Sequence, residues 1–301
     1  MFRGTFTALV TPLSDGAVDL DSLTSLVETQ IAAGITGVVA VGTTGESPTL
    51  SHDEKMRVIR RCVEVAKRRC LVLAGTGSFS TRDAVQASRE AESLGVDGLL
   101  IVAPYYNKPS QEGLFHHFRA IAQATSVPIM LYNIPGRCGV DIGPETVARL
   151  AAACRNIVSV KEASGSVERI SELRQRVDDA FTILSGDDSL TLPFMAVGAV
   201  GVVSVASNLF PAEVRALVDF YQTGDAAAAE ALHRRCYPMF KDLFLEPNPV
   251  PVKTALSWSG AMSAEVRLPL CPMSDANQER LRKTLAAFRR DAVPAGEAKV
   301  A

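Results

Sequence analysis

The sequence predicts an α/β chain folded as a closed (β/α)8 TIM barrel over residues 1–224, followed by a C-terminal helical appendage over residues 225–301. Three observations carry that prediction. Short apolar runs recur along the chain, and most are continuous instead of alternating, as expected of parallel strands covered on both faces. Segments of helical periodicity separate them. Eight such units fit into roughly 220 residues, which suits a closed barrel better than an open doubly wound sheet. The open sheet is the structural alternative, but no GxGxxG follows the first strand, and Gly42-Thr43-Thr44-Gly45 is not that fingerprint.

The predicted strands are Phe6–Val10, Val38–Val41, Leu71–Ala74, Leu99–Val102, Ile129–Tyr132, Ile157–Val160, Thr182–Leu184 and Val202–Val205. Between the first two, Leu20, Leu23, Leu26, Val27 and Ile31 trace one helix face that Gly34 can end. Ser51 and Glu54 form a capping box ahead of Met56, Ile59 and Val63. Ala84, Ala87, Ala91 and Leu94 mark a third helix closed by Gly95, and Leu114, Phe118 and Ile121 a fourth. Ser166 opens another, with Ile170, Leu173 and Val177 on its inner face. From about Asp225 onward only helices are expected: Ala227–Phe240, a segment after Glu246-Pro247-Asn248-Pro249-Val250-Pro251, and Asn277–Arg290, with Val293–Ala301 as a frayed tail.

Nearly half of the 301 residues are hydrophobic, enough for a large core. A net charge of -2, no basic block and few aromatics argue against nucleic acid or an anionic membrane surface as partner. The six cysteines, Cys62, Cys70, Cys138, Cys154, Cys236 and Cys271, include no CxxC pair, and the four histidines offer no metal-ligand spacing. Reduced, mostly buried thiols in a cytoplasmic protein are therefore expected. The N-terminus lacks a long apolar stretch before a small-residue cleavage site, and no run of about twenty apolar residues occurs, so neither export nor a membrane span is expected.

In such a barrel the chemistry collects after the carboxyl ends of the strands. There the sequence places Gly42-Thr43-Thr44-Gly45-Glu46, Pro104-Tyr105-Tyr106-Asn107, Tyr132-Asn133-Ile134-Pro135-Gly136-Arg137, Lys161-Glu162 and Gly186-Asp187-Asp188. Lys161 emerges from an apolar strand, where desolvation favours the neutral amine that attacks a carbonyl. The blander interpretation is a strand-end lysine paired with Glu162 or a neighbouring carboxylate. Tyr132 can relay protons if a hydroxyl supports its phenol, or can simply close the barrel mouth. Thr43 and Thr44 can supply that hydroxyl and hold a carboxylate, or serve as turn and cap residues. Tyr105 and Tyr106 can be packing residues. Arg137 suits bidentate capture of a carboxylate, or is a solvated cation. Helix capping before Leu190–Val197 is preferred for Asp187 and Asp188 over a metal pair. The adjacent His116 and His117 fall on different helix faces and are read as structural.

At these residues the chain resembles the dihydrodipicolinate synthase and N-acetylneuraminate lyase family. The agreement runs from Phe6-Thr7-Ala8-Leu9-Val10-Thr11-Pro12 to Glu246-Pro247-Asn248-Pro249-Val250-Pro251-Val252-Lys253, through the five strand-end motifs, with Lys161-Glu162-Ala163 and Leu184-Ser185-Gly186-Asp187-Asp188 among them. The resemblance implies that Lys161 forms an imine with pyruvate. It further implies that Tyr132 is the general acid/base, with Thr43 and Tyr106 completing a hydroxyl relay and Tyr106 reaching in from a neighbouring subunit. Thr44 would bind the pyruvate carboxylate, and Gly186 and Val203 would line its pocket.

Within the family, arginine at position 137 and the Thr43-Thr44 pair point to the synthases that use L-aspartate 4-semialdehyde, in diaminopimelate and lysine biosynthesis. The implied assembly is a homotetramer, a dimer of dimers, and no metal or organic cofactor is implied because the lysine imine is the electron sink. Ser47, His52, Tyr105 and the acidic Asp83 match the site at which many members bind lysine as a feedback inhibitor. Lys55 and Phe79 depart from the histidine and asparagine of lysine-sensitive members. Weak or absent inhibition by lysine is expected. The alternatives are a sugar-acid lyase sharing Lys161 and Tyr132, a non-catalytic keto-acid-binding barrel, and a phosphate-binding barrel suggested only by the short Gly198-Ala199-Val200-Gly201.

Overall fold

The computed structural model describes residues 2–290, so the expected tail at Val293–Ala301 lies outside the described residues. The predicted strands form, in chain order, β1 (Gly4–Ala8), then, after a small hairpin of β2 (Leu13–Ser14) and β3 (Ala17–Val18), β4 (Gly37–Ala40), β5 (Leu71–Gly75) and β6 (Gly98–Val102). They continue with β7 (Ile129–Asn133), β8 (Ile157–Glu162), β9 (Thr182–Ser185) and β10 (Gly201–Ser204). Apart from the hairpin all are parallel, and they close in the order β1-β10-β9-β8-β7-β6-β5-β4. Pairing of β1 with both β10 and β4 removes the open-sheet alternative. Gly201 closes the ring against Gly4. A Cβ at Gly201 would stand 1.9 Å from the Gly4 carbonyl oxygen, so no side chain is admissible there.

The strands read as continuous apolar runs because both faces are dry. Val39, Leu73, Leu100, Leu184 and Val203 point into the barrel with Phe6 and Met130. Their chain neighbours Val38, Val72, Leu99, Ile183 and Val202 point outward, beneath the helices.

The surrounding helices are α1 (Leu20–Ala32), α2 (His52–Ala66), α3 (Thr81–Ser93), α4 (Gln111–Ala124), the single turn α5 (Pro135–Cys138), α6 (Pro144–Ala153), α7 (Val167–Arg174), α8 (Thr191–Ala196) and α9 (Pro211–Gln222). The expected signals act where the sequence has them. Gly34 and Gly95 follow α1 and α3 at positive φ, and both halves of the Ser51/Glu54 capping box form at α2. The β2–β3 hairpin escaped the periodicity argument because two residues per strand cannot express a period. The appendage is α10 (Ala226–Asp242), α11 (Val250–Ser257) and α12 (Asp275–Arg290). α11 starts inside the proline-rich stretch instead of after it, since proline is pre-organised for a first helical turn. Five of the six cysteines are buried, Cys271 is exposed, and all are free thiols. No helix among the described residues is long and apolar enough to cross a membrane.

Candidate active site

The orientation of Lys161 is decided at the start of β8. Ile129 pairs with Ile157, but Met130 pairs with Ser159, so β8 carries one extra residue there. A strand alternates faces with period two, and Ile157 faces outward. Without the bulge Lys161 would face outward as well. With it, Lys161 pairs with the inward-facing Tyr132 and shares its side of the sheet. The Lys161 Nζ lies 4.2 Å from the centroid of the Tyr132 ring.

Both groups are buried and shifted. Burial pulls the Lys161 ammonium down to about 8, with the Asp188 carboxylate opposing and the Arg137 guanidinium assisting the shift. Burial drives the Tyr132 phenol up to about 12, partly offset by Arg137 and by the Thr43 hydroxyl. Glu162 does not serve as the partner of Lys161. Its carboxylate accepts both contacts of Asn133 Nδ2, at 3.1 and 3.0 Å, and the Ser164 N–H at 2.7 Å. Arg169 lies 3.9 Å away on the same carboxylate and also pairs with Asp141. Asn133 Oδ1 in turn accepts the Ile142 N–H, which ties the segment beyond α5 back to β7.

A cavity of about 290 Å³ opens at the barrel mouth. Thr43, Tyr132 and Arg137 line it together with Ser47, Lys55 and Tyr105. Lys161 lies behind Tyr132 and is not part of its wall, and neither are Thr44, Gly186 or Val203. Thr44 is buried in the turn, its Oγ1 accepting from Asn248 Nδ2 at 2.9 Å. Val203 belongs to the interior apolar cluster beside Tyr132. Gly186 flanks the lysine stem closely: a Cβ there would come within 3.0 Å of Lys161 Cε. Tyr106 stands apart, 91 % exposed and at φ 72, with its ring away from the cavity of its own chain.

The aspartate pair divides. Asp187 caps as expected, accepting from the Ser189 N–H at 2.8 Å. Asp188 does not cap. Its buried carboxylate accepts the Val205 and Ala206 N–H groups at 2.9 and 3.0 Å, and burial raises it to about 6. It also acts on Lys161, which residue spacing did not reveal. His117 is structural as expected, bonded to Thr81 at 2.8 Å and pushed down to about 4 by burial, while His116 is exposed. Sequence reasoning also missed the pairing of Glu46 with Lys253, at 2.6 Å. Its only trace in the sequence was an acidic residue closing one motif and a basic residue closing the other, with nothing to match them across the chain.

The model of the dihydrodipicolinate synthetase family matches residues 1–288. The chain belongs to that family. The 4-hydroxy-tetrahydrodipicolinate synthase of Sorangium cellulosum is 53% identical over 293 residues, covering 96% of this chain and 97% of its own. Among solved structures, the 4-hydroxy-tetrahydrodipicolinate synthase of Methylacidiphilum fumariolicum SolV superposes with a TM-score of 0.96 at 54% identity, covering 96% of this chain and 97% of that one. The chloride-inhibited dihydrodipicolinate synthase of Acinetobacter baumannii, complexed with pyruvate, gives 0.94 at 42% identity, covering 96% and 99%.

Proposed function

We propose that this protein catalyses the 4-hydroxy-tetrahydrodipicolinate synthase reaction, condensing pyruvate with L-aspartate 4-semialdehyde through a Schiff base on Lys161. The observation that carries this proposal is the buried Lys161 amine, held at about 8 against Tyr132 beneath a cavity whose rim presents Arg137. The family membership and the synthase relatives support the same reaction.

The neutral Lys161 amine attacks the pyruvate carbonyl, and loss of water leaves an iminium. Withdrawal of a methyl proton gives the enamine, whose carbon attacks the aldehyde of the second substrate. The amino group of the condensed product then displaces Lys161 as the ring closes, and the lysine is released. No electron acceptor beyond the iminium is needed. The phenol of Tyr132, protonated throughout the physiological range, is suited to giving a proton to the departing water and recovering it later. Thr43 and Tyr106 complete the hydroxyl relay, Tyr106 entering from a second copy of the chain. The exposed ring and positive φ of Tyr106 support that delivery. Thr44 holds the pyruvate carboxylate, and Gly186 and Val203 complete the pyruvate pocket. Arg137 receives the carboxylate of the semialdehyde. The working assembly is a homotetramer in the cytoplasm.

The test is pyruvate consumption with L-aspartate semialdehyde, beside N-acetylmannosamine and glyceraldehyde, for wild type and Arg137→Ala. Turnover with the semialdehyde alone is expected, with its KM rising about 10- to 100-fold in the variant, the scale of a lost charged hydrogen-bond pair. Preference for a sugar aldehyde would keep the lysine imine and overturn the second substrate. Absence of turnover with all three would overturn the reaction.

A further inference from the structure

The turn bearing Thr43 and Thr44 is held in place by distant parts of the chain. Thr44 Oγ1 accepts from Asn248 Nδ2, 204 positions away, at 2.9 Å. The Gly45 carbonyl accepts from the Thr11 hydroxyl at 2.8 Å. Glu46 receives Lys253 Nζ at 2.6 Å on one oxygen and the Arg267 N–H at 3.1 Å on the other. Neither partner of the Glu46–Lys253 pair reaches solvent.

Two features indicate that this clamp does more than stabilise. A sealed ion pair returns little net stability after desolvation, but it fixes geometry. The turn is also bounded by non-glycine residues in the left-handed region, Val41 at φ 50 and Glu46 at φ 54. Such conformations persist only where the surroundings over-determine them. Released from its clamps, the turn has cause to relax.

The direction of the Asn248 bond has a chemical meaning. A threonine hydroxyl both accepts and donates. Because Asn248 donates to Thr44 Oγ1, that oxygen keeps its own proton available for an anionic partner. We infer that Asn248 is a positioning residue for pyruvate: it orients the Thr44 hydroxyl to donate to the substrate carboxylate, while Lys253 and Glu46 fix the turn that carries it. This rests on the proposal that Thr44 binds that carboxylate. An alanine at 248 frees the hydroxyl to turn to nearby carbonyls. An aspartate of the same size captures the hydroxyl proton itself.

The experiment is steady-state kinetics on the full chain for wild type, Asn248→Ala, Asn248→Asp, Thr44→Val and the Asn248→Ala/Thr44→Val double variant, with melting temperatures. Both Asn248 variants are expected to raise the KM for pyruvate about tenfold, the scale of one hydrogen bond to a charged group. The aspartate, despite its matched shape, should be at least as impaired as the alanine. The KM for the semialdehyde and kcat should stay within about twofold, and the double variant should be no worse than Thr44→Val alone. If Asn248→Ala and Asn248→Asp do not fold, Asn248→Ser, with a donor of shorter reach, should give the same split at smaller size. An unchanged pyruvate KM, a loss spread over both substrates and kcat, or effects that multiply in the double variant would overturn the inference. A Thr44→Val variant with normal pyruvate KM instead removes the carboxylate role of Thr44, on which the inference rests.

Discussion

Lys161 and Tyr132 sit opposite one another on neighbouring strands, the amine 4.2 Å from the ring centroid, because β8 holds one residue more than β7 needs. Both are deprived of water, and the deprivation acts on them in opposite directions. It lowers the lysine to about 8 and raises the tyrosine to about 12. At pH 7 a lysine near 8 is about one-tenth neutral, against well under a thousandth at its ordinary value. The second-order rate of imine formation with pyruvate should therefore climb as pH rises through about 8 and then level off. Tyr132 stays protonated over that range and adds no second fall. Borohydride trapping of the imine at short times between pH 6 and 10 measures this, and a flat profile would contradict it. Tyr132→Phe should slow imine formation by about 10²- to 10³-fold at unchanged melting temperature, the usual worth of a placed proton donor.

Burial of Lys161 costs stability as well. Its folded-state value lies below the unfolded one, so the penalty is complete below pH about 8 and is relieved as pH rises from there towards 10.5. Lys161→Met removes the charge and keeps the bulk. The variant should be inactive, yet melt a few degrees higher than wild type at pH 7, with the gain shrinking by pH 9.5. A lower melting point at pH 7 would show that the ammonium is well accommodated in its site.

The Glu46–Lys253 pair tests the opposite case, a buried charge with its partner. Lys253→Met alone leaves Glu46 sealed and unpaired, at a cost of about 3–5 kcal/mol. For a chain of this size that is on the order of 10 °C in melting temperature. Glu46→Gln with Lys253→Met should recover most of the loss. Equal loss in the single and double variants would mean that packing, not charge, dominates there.

Lysine should inhibit weakly or not at all. Lys55 is half-buried in the cavity wall beside Ser47 and Tyr105, two residues on which the resemblance to lysine-binding members rests, and its cation would repel a cationic effector held by them. Phe79 meets Tyr105 edge-on at 5.4 Å and offers no amide. Titration with lysine should leave activity unchanged through the submillimolar range, and Lys55→His/Phe79→Asn should gain sensitivity. Strong inhibition of the wild type below 1 mM, a threshold set on the order of ordinary effector affinities, would refute the expectation.

The sequence by itself determined the barrel, because a parallel strand dry on both faces must be written as an unbroken apolar run, and Val38-Val39, Leu99-Leu100 and Val202-Val203 are such runs. It also determined which residues stand on the mouth, since strand ends are local features: Lys161 follows its run directly, Tyr132 ends one, and Thr43 and Arg137 lie in the loops just beyond theirs. What faces what was decided only by tertiary structure. The inward turn of Lys161 depends on pairing with β7 across a bulge, and pairing is invisible along one strand. Asp188 looked like a helix cap beside Asp187, and became a buried anion acting on Lys161 only once the turn after β10 brought the Val205 and Ala206 N–H groups alongside. Asn248 and Lys253 sit in a proline-rich stretch whose periodicity announces no contact, yet they hold the Thr43–Thr44 turn through Thr44 and Glu46, 204 and 207 positions away. Burial and opposite charge make such contacts strong, but nothing local in the chain encodes a partner that folding alone brings near.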